Sequence, residues 1–194
     1  MPVSFQALRD RHAGVFQLLP DPFDIDLYCR ALSAHRERDV IPVPFNPVHT
    51  PLSSCSSVTG FWVQVEDPGT PGLLRDVIGY ASAPAIPMSL QITFFGHELG
   101  HVEHDHLGKP EARLEQHAQV VAPTLMKYGG MDAVKRITGR NAFRNEQEEE
   151  AETFAILLRE RLMTRHNDET DNRSGMVERM GSPLVDPFRR RRRA

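Results

Sequence analysis

Apolar residues along the chain follow two different periods. Gly60-FWVQVE-Asp67 and Asp76-VIGYA-Ser82 are short runs rich in β-branched and aromatic residues, and the turn-rich PGTPG lies between them. Together they predict an antiparallel hairpin. From Pro87 to Asp105 the period changes: Met88, Ile92, Phe95, Leu99 and Val102 recur at i, i+4, i+7, i+11 and i+14. That is one apolar stripe on a helix, and it should face a core. Ala151, Ala155, Leu158 and Leu162 form a second stripe, predicting a last helix from about Asn145 to His166.

Other elements follow from punctuation. Asp24 is placed to N-cap a helix through Ile25, Leu27, Tyr28, Ala31 and Leu32 that ends near Arg38. In VIPVPF, Val40 to Phe45, proline at alternate positions suits an edge strand or a polyproline segment rather than a central strand. Between Lys109 and Thr138 one or two helices are expected, broken at Pro123 and at Gly129-Gly130. Residues 167–194 hold little periodic apolar content and read as a flexible basic tail behind a domain of residues 1–166.

Composition adds little to this picture. With 40% apolar residues, 25% charged residues and a net charge of -3, the 194-residue chain is an ordinary globular sequence. Arg189 to Arg193 form a basic run, but the rest of the chain has no basic periodicity, which argues against nucleic-acid binding. Cys29 and Cys55 stand without a C-x-x-C or a ladder of spacings, so reduced thiols are expected. No signal peptide and no apolar run of about 18–20 residues is visible, so the expectation is a soluble, cytoplasmic protein with no membrane partner.

The chemistry lies in GHELGHVEHDH, Gly96 to His106. H-E-x-x-H on a helix sets His97 and His101 one turn apart and only about 40° apart around the axis, so both imidazoles can reach one ion. Glu98 projects beside the pair, about 100° from His97 and about 60° from His101, where it can serve a metal-activated water as general base without ligating the metal. With nine His and fourteen Glu in the chain, shuffling would produce the bare pattern about 0.03 times, so chance is a poor explanation.

A catalytic zinc needs a third protein ligand and one open position. The longer H-E-x-x-H-x-x-G-x-x-H form is excluded, because His104 stands at its glycine position and Leu107 at its third histidine. The remaining source is the run Glu146, Glu148, Glu149, Glu150 and Glu152. Glu148 lies seven residues before Ala155 and fourteen before Leu162, on the buried line, whereas Glu150 lies about 200° away and should face water. A carboxylate on an apolar face calls for a cation, which makes Glu148 the third ligand. Glu152, one turn on, is placed to hold the other ring nitrogen of a ligand histidine.

The chain resembles the short, actinobacterial-type members of the ImmA/IrrE family of zinc metallo-endopeptidases. The likeness rests on DPFDIDLYCRAL, VTGFWVQV, DVIGYAS, FFGHELGHVEHDHLG and EQEEEAETFAILL, in which the family's E-x-x-A-x-x-x-A pattern falls on Glu148, Ala151 and Ala155. It implies a small α+β domain of the zincin-like (gluzincin) type, with an antiparallel-edged sheet over the metal helix. It also implies Zn2+ held by His97, His101 and Glu148, Glu98 as the base, and cleavage of a protein substrate such as a helix-turn-helix repressor or an antitoxin-like partner. The substrate would add as a strand to Val77–Ser82. Tyr80, His104, His106 and Arg144 are unranked candidates for the oxyanion donor. His104 is better read as a helix-end histidine bonded to carbonyls, and His106 as the residue that ends the helix. A protein that keeps the site but only holds its partner is the alternative reading.

Overall fold

The computed structural model describes residues 5–47, 58–106, 122–128, 130, 133–138 and 145–181, with side chains described to 135 in the fifth of these segments and to 165 in the last. Arg144, Cys55, Arg189–Arg193 and the stretch 107–121 that begins the expected middle helices lie outside the described residues. The chain divides into two units, Met1–Arg159 and Glu160–Ala194.

The first unit opens with α1 (Phe5–Arg11) and α2 (Ala13–Gln17), followed by α3 (Ile25–Arg36). Asp24 caps α3 as its sequence predicts, accepting the Leu27 N–H at 2.8 Å. Four strands follow in the sheet order β1-β3-β2-β4: β1 (Asp39–Phe45), β2 (Gly60–Glu66), β3 (Leu74–Ala81) and β4 (Val134–Thr138). The expected hairpin is present, β2 pairing antiparallel with β3 from Gly60 opposite Tyr80 to Glu66 opposite Leu74. β1 runs parallel to β3 at one edge and β4 antiparallel to β2 at the other, so the sheet is mixed rather than antiparallel throughout.

Proline at alternate positions explains why β1 is an edge strand. Ser82 N–H donates to the Phe45 carbonyl at 2.8 Å, so Ile41, Val43 and Phe45 turn their polar backbone toward β3. Pro42 and Pro44 have the opposite phase, and their missing N–H groups fall on the outer side, where no ladder bond is lost.

Both sheet faces are covered, so β2 and β3 are buried almost throughout. Phe61, Val63, Val65 and Val77 pack with Leu125 on one face. A Cβ on Gly79 would lie 2.1 Å from the Phe61 ring, so that glycine leaves the room the ring occupies. On the other face lies α4 (Met88–Glu103), against β3 and β2. Its stripe residues Phe95, Leu99 and Val102 are fully buried and Ile92 nearly so, while Met88 at the first turn is exposed. α5 (Asn145–Gly181) supplies Ala151, Phe154, Ala155 and Leu158 to the same core.

Two expectations need correction. Residues 134–138 form a strand, not part of a helix; five residues with Val134, Ile137 and Thr138 are too short for a period, and the edge of β2 supplies the partner. α5 does not stop at His166 but continues to Gly181, in the second unit; polar residues can propagate a helix with no apolar stripe to reveal it.

α4 and α5 meet backbone to backbone. A Cβ on Gly100 would sit 2.8 Å from Ala151 Cα and 3.0 Å from its carbonyl oxygen, and one on Gly96 would sit 3.2 Å from Ala155 Cα. Gly100→Ala should therefore destabilise the protein by about 1–3 kcal/mol through overpacking, despite the better helix propensity of alanine. Gly14→Ala, in α2 with nothing within 4 Å of the new methyl, should stabilise it by about 0.5–1 kcal/mol. Denaturant midpoints of the two variants check this, and a Gly100→Ala protein as stable as the parent would remove the close contact.

Candidate metal centre

The close helix crossing determines what α4 presents to α5. With Leu99 turned into the sheet core, His97 and His101 fall on the side that α5 covers, and Glu148 stands one turn before Ala151. His97 Nε2 lies 3.2 Å from His101 Nε2 and 3.5 Å from Glu148 Oε2. One ligand atom from each of the three residues lies within 4.8 Å of the other two. A tetrahedral ion with bonds of about 2.0–2.1 Å sets its donors about 3.3–3.4 Å apart, so the two short separations fit such an ion and the third closes by a small carboxylate movement. This group could hold a metal ion.

Electrostatics favour a cation. Glu148 Oε1 is buried and has no hydrogen-bond partner among the described residues. Burial alone would lower the pKa of His97, but the Glu148 hydrogen bond and the charges of Glu98 and Glu148 outweigh it and hold the ring above its ordinary value. His101 is 1% exposed. Burial first, then the neighbouring His97, His106 and His104, push it down to about 2, which leaves the neutral imidazole that a metal requires.

Glu98 is 6% exposed and shares with His97 and Glu148 the wall of a cavity of about 550 Å3. Phe94 and Ile156 form its apolar side, and Glu152 lies at the same opening. Gly60, at the start of β2, is the residue that sequence reasoning missed here: a Cβ on it would lie 2.7 Å from Glu98 Oε1. The missing side chain is what lets the sheet edge close over this carboxylate.

Behind this group, the end of α4 folds back on itself. Asp105 adopts a left-handed conformation at φ 47, Asp105 N–H donates to the Val102 carbonyl at 3.2 Å and His106 N–H to the His101 carbonyl at 3.0 Å. This is a Schellman cap with aspartate where glycine is usual. It returns the His106 ring to His101, with their Nδ1 atoms 2.9 Å apart, and His106 Nε2 lies 3.0 Å from Glu150 Oε2. His104 Nδ1 donates to the Gly100 carbonyl at 2.8 Å, as a helix-end histidine should, and its Nε2 meets His12 Nε2 at 3.1 Å.

Several expected placements change. Glu150 does not face water: its side chain is 26% exposed and bonded to His106, because the cap carries that ring round to the far flank of α5. Glu152, expected to hold the other ring nitrogen of a ligand histidine, is exposed at the cavity, and for His101 that nitrogen is met by His106. Tyr80 is packed edge-on to Phe95 in the core, and burial first raises its pKa to about 12, so neither it nor the capped His104 and His106 borders the cavity as an oxyanion donor would. Thr59, Thr93 and Asn145 are the uncharged polar residues that do. β3 is paired on both sides from Arg75 to Tyr80, and Ala81 N–H donates to the Thr59 carbonyl at 2.8 Å, so a peptide cannot add to Val77–Ser82 as a strand.

The chain is thus an α+β protein with a small mixed sheet and a His97–His101–Glu148 group suited to a metal ion. No family model, curated protein or solved structure matches it, so the likeness to ImmA/IrrE rests on the motifs alone. Among the described residues no helix is long and apolar enough to cross a membrane.

Burial gives the histidine cluster a pH signature outside the ligand set. His12 is 3% exposed. Burial first, then the nearby His104 and Arg11, lower its pKa to about 4 from an unfolded value of 6.5. The neutral folded ring therefore contributes stability that is fully present above pH 6.5 and lost as pH falls toward 4. Unfolding free energies measured across that window should decline with acid, and His12→Leu should flatten the decline; an unchanged slope would exclude His12 as its source.

Proposed function

We propose that the protein is a zinc-dependent endopeptidase with a zincin-like catalytic domain of the ImmA/IrrE kind. The observation that carries this reading is the placing of two imidazoles and a carboxylate 3.2 Å and 3.5 Å apart, on a cavity whose wall also includes the second residue of H-E-x-x-H. Two nitrogens and one oxygen are the donor set of many catalytic zinc sites, which keep a fourth position for water or substrate. Bound there, zinc supplies Lewis-acid polarisation of a carbonyl and makes a water easier to deprotonate.

His97, His101 and Glu148 hold the ion in this scheme. Glu98, enclosed by Gly60 yet open to the cavity, takes a proton from the attacking water and returns it to the departing amine of the cleaved peptide bond. Phe94 and Ile156 give an apolar surface for a substrate side chain next to the reacting bond. The substrate is a protein segment laid over the cavity, from a partner such as a helix-turn-helix repressor or an antitoxin-like protein.

The purified protein should contain one equivalent of zinc by elemental analysis, and Glu148→Ala should lose it. Against a mixture of proteome-derived peptides, with new termini read by mass spectrometry, Glu98→Gln should cut more slowly by about 10²–10⁴-fold while keeping its zinc. Absence of zinc from the parent protein would sink the metal reading. Zinc without Glu98-dependent cleavage would instead leave a module that binds its partner and does not cut it.

A further inference from the structure

We propose that His106 and Glu150 form a positioning relay that fixes the tautomer of His101, leaving its Nε2 lone pair directed at the metal position; the function of this relay rests on the metal reading above. Each link has hydrogen-bond length: His101 Nδ1 to His106 Nδ1 is 2.9 Å, and His106 Nε2 to Glu150 Oε2 is 3.0 Å.

The direction of the protons follows from what each group can do. A carboxylate only accepts, so His106 Nε2 must carry the hydrogen it shares with Glu150. Nδ1 of a neutral His106 is then a lone pair, and the 2.9 Å contact requires the hydrogen to sit on His101 Nδ1. His101 Nε2 is left bare, facing His97 Nε2 at 3.2 Å where the ion would lie. Ligand histidines commonly hand their second N–H directly to a carboxylate or carbonyl. Here a second imidazole stands between, and the end of α4 supplies it.

The surroundings hold the relay in place. His106 is 4% exposed, and the backbone bond from its N–H to the His101 carbonyl at 3.0 Å ties donor and acceptor rings to the same turn. His104 stacks on the other side of His106, with centroids 5.1 Å apart and planes at 17°. Rotating the His106 ring away would break this stack and the Glu150 bond together. Glu150 also ties the cap of α4 to α5, the helix that carries Glu148, so the relay links both halves of the ligand set.

The test uses the full chain and measures zinc affinity by competition with a chromophoric chelator. His106→Leu, which removes the acceptor, should weaken zinc binding about 10–100-fold, and Glu150→Ala should weaken it in the same direction. Glu150→Gln should stay close to the parent, because its amide oxygen can accept the same hydrogen. Circular dichroism and denaturant midpoints establish that each variant is folded. Imidazole nitrogen NMR of the metal-free parent reads the tautomer independently of any metal: hydrogen on His101 Nδ1 and His106 Nε2 is expected. Hydrogen on His101 Nε2, or a folded His106→Leu that binds zinc like the parent, overturns the relay. A parent with the expected tautomers that binds no zinc overturns the metal reading and leaves the hydrogen-bond order standing.

Discussion

The contact between Gly100 of α4 and Ala151 of α5 sets the distance on which the rest of the site depends. With no side chain at Gly100 and one methyl at Ala151, the two backbones approach until nothing larger fits, and Gly96 against Ala155 repeats the arrangement one turn away. The residues of the candidate metal group leave these same turns: His97 follows Gly96, His101 follows Gly100, and Glu148 precedes Ala151 by three residues. Side chains as short as imidazole and glutamate can share one ion only if their helices are this close. Small residues at the crossing and polar residues beside it thus serve one geometry.

The same crossing sets the electrostatics. By covering α4 with α5, it removes His101 from water and leaves Glu148 with a buried oxygen that lacks a hydrogen-bond partner among the described residues. Such groups weaken a fold unless something answers them. On the far side of His101 the answer is within the chain, through His106 to Glu150. On the near side three carboxylates surround one half-buried imidazole, and the excess of negative charge favours a divalent cation. A second buried acid shows the contrast: Asp76, fully buried in β3, accepts from Trp62 and Gln64 at Oδ1, and its charge is met within the chain by Arg38 at 2.7 Å.

Much of this was legible in the residues. Hairpin, H-E-x-x-H helix, Asp24 cap and proline-marked edge all follow from local rules, and helical phase alone selected Glu148 from five nearby glutamates. Other features were hidden for identifiable reasons. Leu8, His12, Val15 and Phe16 continue one buried face across α1 and α2, but a histidine in the middle disguises the stripe. Phase around α5 sends Glu150 outward, and only the turn after α4 brings a partner to meet it. That turn needs a left-handed residue, and Asp105 lacks the glycine signature by which such turns are recognised. The role of Gly60 depends on a contact between residues 38 positions apart, which no local pattern encodes.

The prolines of β1 affect how molecules of this protein meet one another. A sheet border with free amide hydrogens is a template on which a neighbour's strand can register, and crowded chains then join into oligomers or fibrils. Pro42 and Pro44 remove two successive donors from that border. They make this side of the sheet a poor seed for self-association, at a position where the fold itself gives up no bond.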